Sequence, residues 1–145
     1  MTSMLLYPVA VLAGVAAATQ GGANGALTER AGLGAALVFN SVVVMVGSLL
    51  ILFFAGGTRQ LGSLTGAPWS YYLGGICGLV IVAATALAIP RLGAAMVLAL
   101  MVLGQGATAL AIDHFGLFGM QRAPLSASRV AGAVLLVAGV ALLRR

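Results

Sequence analysis

Hydrophobic residues fall into five long segments along the chain, separated by shorter polar stretches. A helix needs about 20 mainly apolar residues to cross the hydrocarbon core of a bilayer. The pattern therefore predicts an all-α membrane protein with five transmembrane helices, at about residues 4–27, 32–55, 69–89, 92–112 and 126–143. Since no segment is left over for a soluble domain, we expect residues 1–145 to form a single integral membrane domain.

The connections between these segments are predicted to be two tight turns and two longer loops. Residues 28–31 would join the first two helices. Pro90-Arg91 would form a hairpin, because a proline disfavours helical backbone at the preceding residue. The longer loops, residues 56–68 and 113–125, contain glycine and polar residues and should contact water. Trp69 and Tyr72 begin the third helix, where aromatic residues anchor a helix at the membrane interface; lining a substrate entrance is the alternative.

Composition supports a membrane location and excludes several functions. The chain is 62% hydrophobic and 6% charged, with a mean hydropathy of +1.17, whereas soluble domains average about 25% charged residues. The arginines are scattered singly, which is unlike the basic patch of a nucleic-acid-binding protein. A single histidine and a single cysteine give no basis for a metal cluster or a nucleophilic triad. We therefore expect a lipid-embedded protein that is not an enzyme and has no cofactor, metal or nucleic-acid partner.

The basic residues give almost no preferred orientation in the membrane. If the five helices alternate in direction, one face of the membrane receives three arginines and the other receives four. Orientation follows the Lys/Arg bias of short loops, so we expect the chain to insert both ways and to pair with itself as an antiparallel dimer of ten helices. The two sets are Arg59, Arg122 and Arg129 on the face of Met1, and Arg30, Arg91, Arg144 and Arg145 on the other.

Polar residues at membrane depth are few, and most are amides. Gln20 and Asn24 are four residues apart and so project from one side of the first helix. They lie in a glycine-rich stretch in which Gly21-Gly22 could kink the helix and in which small residues would permit close helix packing. Asn40 is favoured as an interhelical hydrogen-bonding residue, whereas for the other amides that role and a cavity-lining role remain equally open. The predicted substrate-binding residues are Gln20, Asn24, Asn40, Trp69, Tyr72, Gln105 and Thr108.

Asp113 is the one carboxylate at the end of a predicted membrane helix. A negative charge is unfavourable at a helix C-terminus, so we expect a compensating cation, either Arg122 or Arg129. A structural ion pair is the favoured interpretation. Coupling of transport to a proton or an ion is the alternative for Asp113.

Several motifs together resemble the YdcZ-type family of the drug/metabolite transporter superfamily, whose members are small five-helix proteins. The resemblance covers nearly the whole chain and is most specific from Gly104 to Gly132. The motifs are Gln20-x-x-x-Asn24, Trp69-x-x-x-x-Gly74-Gly75-x-x-Gly78, Pro90-Arg91-x-Gly93, Gly104-Gln105, Ile112-Asp113-His114-Phe115-Gly116 and Leu125-Ser126-x-x-Arg129-x-x-Gly132.

This resemblance implies export of a small molecule across the bacterial inner membrane by a dual-topology protein. The four-helix multidrug members of the superfamily carry a membrane-embedded glutamate in the first helix. Gln20 and Asn24 occupy that helix here, which disfavours a simple exchange of protons for a cation. The expected function is therefore alternating-access transport by an antiparallel homodimer. The alternatives are a dual-topology channel and a non-transporting subunit of a heteromeric complex.

Overall fold

The structure, a computed structural model, describes residues 6–55, 57, 59–62, 64 and 66–143. Within these ranges the chain is helical, and the predicted all-α architecture of five long helices is confirmed. Short helical turns occur at Arg59–Gly62, Trp69–Tyr72 and Leu117–Gly119. The long helices are α1 (Leu6–Ala31), α2 (Leu33–Phe54), α3 (Leu73–Leu92), α4 (Ala94–Phe115) and α5 (Ala127–Leu143).

Helices α1 to α4 are long and apolar enough to cross a membrane. Helix α5 has 17 residues, which at about 1.5 Å per residue gives roughly 26 Å, close to the hydrocarbon thickness of about 30 Å. In lipid a helix is favoured because it satisfies every backbone polar group internally. The predicted start of the first helix at residue 4, and the arginines at 144 and 145, lie outside the described residues.

The two tight turns lie slightly further along the chain than predicted, and the helices after them begin at Leu33 and Ala94, one and two residues later than predicted. Residues 28–31 are helical, and the break occurs at Gly32, which has φ 85° and ψ 157°. Helix α3 likewise continues through Pro90, and the next break occurs at Gly93, with φ 80° and ψ 150°. Backbone of this kind is accessible almost only to glycine. The chain therefore turns where a glycine permits it and not where the proline disfavours helix.

The chain forms two compact units, Met1–Pro90 and Arg91–Arg145, which are described separately. In the first unit α2 packs beside α1, and Ala36 and Ala86 are almost fully buried. In the second unit α4 packs against α5, with Val97 in its core. Glycine assists this packing too, because a Cβ atom added at Gly106 would lie 3.3 Å from Cδ1 of Leu136.

Two glycines of α1 allow α3 to approach it closely. A Cβ atom at Gly21 would lie 2.6 Å from Cδ1 of Ile89, and one at Gly25 would lie 3.3 Å from the ring of Pro90. Gly14 and Gly22 have open space around them. Helix α1 runs without a break through Gly21-Gly22. The predicted close packing of helices thus occurs in this unit at Gly21 and Gly25.

Candidate functional site

Three amide side chains from α1 and α2 meet in the first unit. The Oδ1 atom of Asn40 accepts hydrogen bonds from Nε2 of Gln20, at 3.1 Å, and from Nδ2 of Asn24, at 3.2 Å. The spacing of Gln20 and Asn24 places both donors on one side of α1, as predicted. Asn40 makes the predicted interhelical hydrogen bonds. We call these three residues the amide cluster.

The amide cluster extends from the interior of the unit to its surface. Asn24 is 7% exposed, Asn40 is half-buried and Gln20 is exposed. An unpaired polar group away from water is unfavourable by several kcal/mol, and the hydrogen bond to Asn40 removes that penalty for a donor of Asn24. Asn24 therefore supports the cluster from inside, while Gln20 and Asn40 lie where they can meet a ligand.

A cavity of about 450 Å³ lies beside the amide cluster, among α1, α2 and α3. Its volume falls within the range of about 300–1,000 Å³ that is typical of small-molecule sites. Polar groups come from the first two helices, and apolar walls come from the second and third. The lining residues are Gln20, Leu37, Asn40, Ser41, Val44, Met45, Gly75, Gly78, Leu79 and Val82.

Helix α3 contributes space to the cavity as well as a wall. A Cβ atom added at Gly75 or at Gly78 would meet no heavy atom within 4 Å. Larger side chains at these two positions would therefore meet open space at the wall of the cavity. In the sequence, Gly75 and Gly78 stand out only as part of a family motif, so the prediction missed their contribution to the cavity. Their spacing, three residues apart on one side of a helix, was the available signal.

Thr85 is a buried polar residue of α3 that the sequence analysis also missed. Its hydroxyl donates to backbone carbonyls of its own helix, those of Ile81 at 2.9 Å and Val82 at 3.1 Å. Its Cβ lies 3.8 Å from the position that a Cβ would take at Gly21. Thr85 thus belongs to the packing between α1 and α3.

The remaining predicted substrate residues lie elsewhere in the chain. Gln105 and Thr108 are exposed residues of α4, in the second unit. Trp69 is 76% exposed, and the hydroxyl of Tyr72 donates to the carbonyl of Leu64 at 2.7 Å. The hydrogen bond of Tyr72 holds the loop that precedes α3. Neither aromatic residue lines the cavity of the amide cluster.

A second polar group forms at the C-terminal end of α4. Nη1 of Arg129 donates to Oδ2 of Asp113 and to the carbonyl of Ala123, both at 3.2 Å. The backbone N–H of Ala123 donates to the carbonyl of Asp113 at 2.8 Å. The prediction that Asp113 pairs with an arginine is confirmed, and that arginine is Arg129. We call Asp113, Arg129 and the backbone of Ala123 the ionic cluster.

The loop between α4 and α5 folds back onto this end of α4. Arg122, the other predicted partner, donates from Nε to the carbonyl of Phe115 at 3.3 Å. The backbone N–H of Leu125 donates to Nδ1 of His114 at 3.4 Å. Gly116 ends α4 in the left-handed conformation, at φ 66°, which favours glycine. The motif from Asp113 to Gly116 therefore fixes the loop on the helix end.

The second unit contains a larger cavity of a different character. It measures about 1,070 Å³ and lies between the start of α4 and the end of α5. Its lining is apolar apart from Arg91 and backbone groups. Unlike the cavity of the amide cluster, it is lined by no neutral polar side chain that could orient a small molecule. Among the described residues, no group of three or more potential metal ligands occurs.

Comparison with known proteins identifies the family. The family described as "Putative inner membrane exporter, YdcZ" matches the chain over residues 5–142. No curated protein and no solved structure gives a significant match. The match spans all five helices, and four of them are long and apolar enough to cross a membrane. The chain is therefore a multi-pass inner-membrane protein, and it belongs to the YdcZ family.

Proposed function

We propose that this protein is a small-molecule transporter, acting as an exporter of the bacterial inner membrane, and that the amide cluster forms part of its substrate site. The observation that carries this proposal is the position of Gln20 and Asn40 on the wall of a 450 Å³ cavity. Polar side chains that face the interior of a membrane-helix bundle often mark substrate pathways. The membership of an exporter family supports the same role.

The transporting form proposed here is an antiparallel homodimer that works by alternating access. The support is the split of the arginines, three against four, together with the odd number of helices. In inverted-repeat transporters the substrate site lies near the midplane between oppositely oriented halves. An inverted pair of five-helix chains would obtain that arrangement without gene fusion. The pair would be a ten-helix bundle of the drug/metabolite transporter type, with each site residue present twice.

Transport is tested with purified protein reconstituted in liposomes. A mixture of small metabolites is loaded inside, and their release is followed by mass spectrometry in wild type and in Asn40→Leu. We expect release of a specific compound that saturates, shows counterflow and falls at least about tenfold in the variant. Val43→Leu, an exposed position of the same helix, should transport normally. Non-saturating release without counterflow would favour a channel. If no metabolite of the mixture were released, the proposal would be contradicted.

The dimer is tested by locating the C-terminus. Reporter tags on the wild type should be found on both sides of the membrane, because the arginine bias is a single residue. Two lysines added beside Arg144 and Arg145 should shift the population to one side. Co-expression of two variants biased in opposite directions should restore transport that each lacks alone. Tags found on one side only in the wild type would contradict the antiparallel homodimer.

A further inference from the structure

The amide cluster has hydrogen-bonding capacity beyond the two bonds that hold it together. Each primary amide carries two N–H hydrogens and a carbonyl oxygen with two lone pairs. In the cluster, Oδ1 of Asn40 accepts from one N–H of Gln20 and one of Asn24. The amide nitrogen of Asn40 and the carbonyl oxygen of Gln20 take no part in these bonds. Both residues line the cavity, so a donor of Asn40 and an acceptor of Gln20 remain for a ligand there.

The cavity carries no charge to match a charged ligand. None of the described residues that line it is ionisable; its polar side chains are two amides and the Ser41 hydroxyl. An ion moved into such a site loses its hydration without gaining a counter-charge, which is far more costly than moving a neutral polar group. The absence of a charged partner therefore selects against both cations and anions.

The remaining walls favour an apolar body on the ligand. Leu37, Val44, Met45, Leu79 and Val82 surround the polar edge, and Gly75 and Gly78 leave space between them. Binding sites of this kind gain affinity from apolar contact and orientation from a few polar groups. The polar groups lie along α1 and α2, whereas α3 supplies apolar side chains and glycines.

We infer that the cavity binds an uncharged molecule with a hydrogen-bonding head of the carboxamide type and a compact apolar body. The head both donates and accepts, so it pairs with the nitrogen of Asn40 and the carbonyl oxygen of Gln20. The apolar body lies against α3. This inference rests on the proposed function in taking the cavity as the substrate site, and it adds the class of molecule that is carried.

Three probes of nearly equal shape separate charge from size: benzamide, benzoate and benzamidinium. Binding to the purified full-length protein in detergent is measured by calorimetry, with thermal stabilisation as a second readout. We expect benzamide to bind and the two ions to bind at least about tenfold more weakly, since a polar site discriminates strongly against a head that leaves its groups unpaired. Equal or tighter binding of either ion, or no binding of any probe, overturns the inference.

The site is assigned with substitutions at Asn40. Asn40→Leu removes the polar head contact and should weaken benzamide binding about tenfold or more. Gln121→Leu also replaces an amide side chain by leucine, but at an exposed loop position, and it should leave binding unchanged. Asn40→Asp keeps an oxygen that can accept from Gln20 and Asn24 but replaces the N–H donors by a negative oxygen. That variant should prefer benzamidinium, a reversal that loss of folding cannot produce.

The outcomes distinguish this inference from the proposed function. Counterflow of each labelled probe is measured in liposomes with the same variants. If the wild type carries benzamidinium or benzoate by a route that Asn40→Leu abolishes, the transporter role stands and the inferred ligand class falls. If benzamide binds at Asn40 but neither it nor any other probe or metabolite shows flux, the binding site stands and the transporter role falls. Benzamide affinity equal in wild type, Asn40→Leu and Asn40→Asp overturns the inferred site.

Discussion

The amide cluster and the ionic cluster place polar chemistry in two different settings. In the amide cluster, neutral side chains from the middle of α1 and α2 bond to one another beside a cavity. In the ionic cluster, the charges of Asp113 and Arg129 meet at a helix end, and Arg129 also bonds the backbone of the loop. One group retains unused donors and acceptors next to open space, whereas the other uses its charges to hold a loop.

The difference shows how position in the membrane selects polar chemistry. An amide can be buried among membrane helices at modest cost, because its bonds are satisfied by neighbouring amides. A charge is tolerated where the helix meets the interface and a partner is within reach. The proposed binding of a neutral molecule by the amide cluster rests on this difference, whereas the ionic cluster holds the segment that links α4 to α5.

A charge introduced into the amide cluster should have the largest effect. Asn24 is 7% exposed, and an aspartate in the middle of a membrane helix costs about 2.5–3.5 kcal/mol. We therefore expect Asn24→Asp to lower the melting temperature in detergent strongly and to reduce the amount inserted in membranes. Asn24→Leu, which loses the hydrogen bond without adding a charge, should lose only about 0.6–2 kcal/mol. Equal stability of Asn24→Asp and Asn24→Leu would contradict the view that the amide cluster tolerates neutral groups but not a charge.

The close approach of α1 and α3 gives the next largest effect. Gly21→Ala places a Cβ atom 2.6 Å from Cδ1 of Ile89, so the end of that side chain must rotate away, and the cost of that rotation offsets part of the gain in helix propensity. Gly22→Ala gains the same helix propensity, about 1 kcal/mol, in open space. Gly21→Ala should therefore raise the melting temperature less than Gly22→Ala does. A lower melting temperature for Gly22→Ala than for Gly21→Ala would contradict this packing.

Loss of the ion pair should have a smaller effect. The side chains of Arg129 and Asp113 are 36% and 38% exposed, so solvent screens them and the pair contributes about 0.2–1 kcal/mol. We expect Asp113→Asn to lower stability by that amount and to leave the pH dependence of transport unchanged. Arg122→Gln, which leaves the ion pair in place, is the control for a change of charge in the same loop. A normally stable Asp113→Asn protein that has lost its pH dependence would make Asp113 the coupling residue.

The sequence predicts the five helices because lipid permits few alternatives. Long apolar runs must be helical there to satisfy the backbone. The predicted turns, at residues 28–31 and Pro90-Arg91, lie slightly before the observed ones at Gly32 and Gly93. Each follows an arginine in the last turn of a helix, at Arg30 and at Arg91, which is a known signal for a helix end. Weighting that signal above the effect of Pro90 gives the observed positions.

The candidate site could be predicted in part. The spacing of Gln20 and Asn24 placed them together, and the charge of Asp113 required an arginine. The acceptor role of Asn40 towards both amides depends on how α1 packs beside α2, which no local pattern specifies. The cavity wall at Gly75 and Gly78 depends likewise on the approach of α3. For α3, apolar residues and glycines surround the whole helix, so the sequence gives no preferred side.

The smallest effect is expected at Thr85, and it marks the limit of the amide cluster. Thr85 is 6% exposed and lies next to Gly21, but its hydroxyl bonds only carbonyls of its own helix among the described contacts. Those carbonyls belong to regular helix and do not depend on the hydroxyl. Thr85→Val should therefore change stability little, because bonding of a threonine hydroxyl to its own helix brings no net stabilisation, and it should leave benzamide affinity unchanged. Thr85→Ala controls for volume and should be less stable than Thr85→Val, because it leaves a cavity. A tenfold loss of affinity in Thr85→Val would extend the binding site across α3.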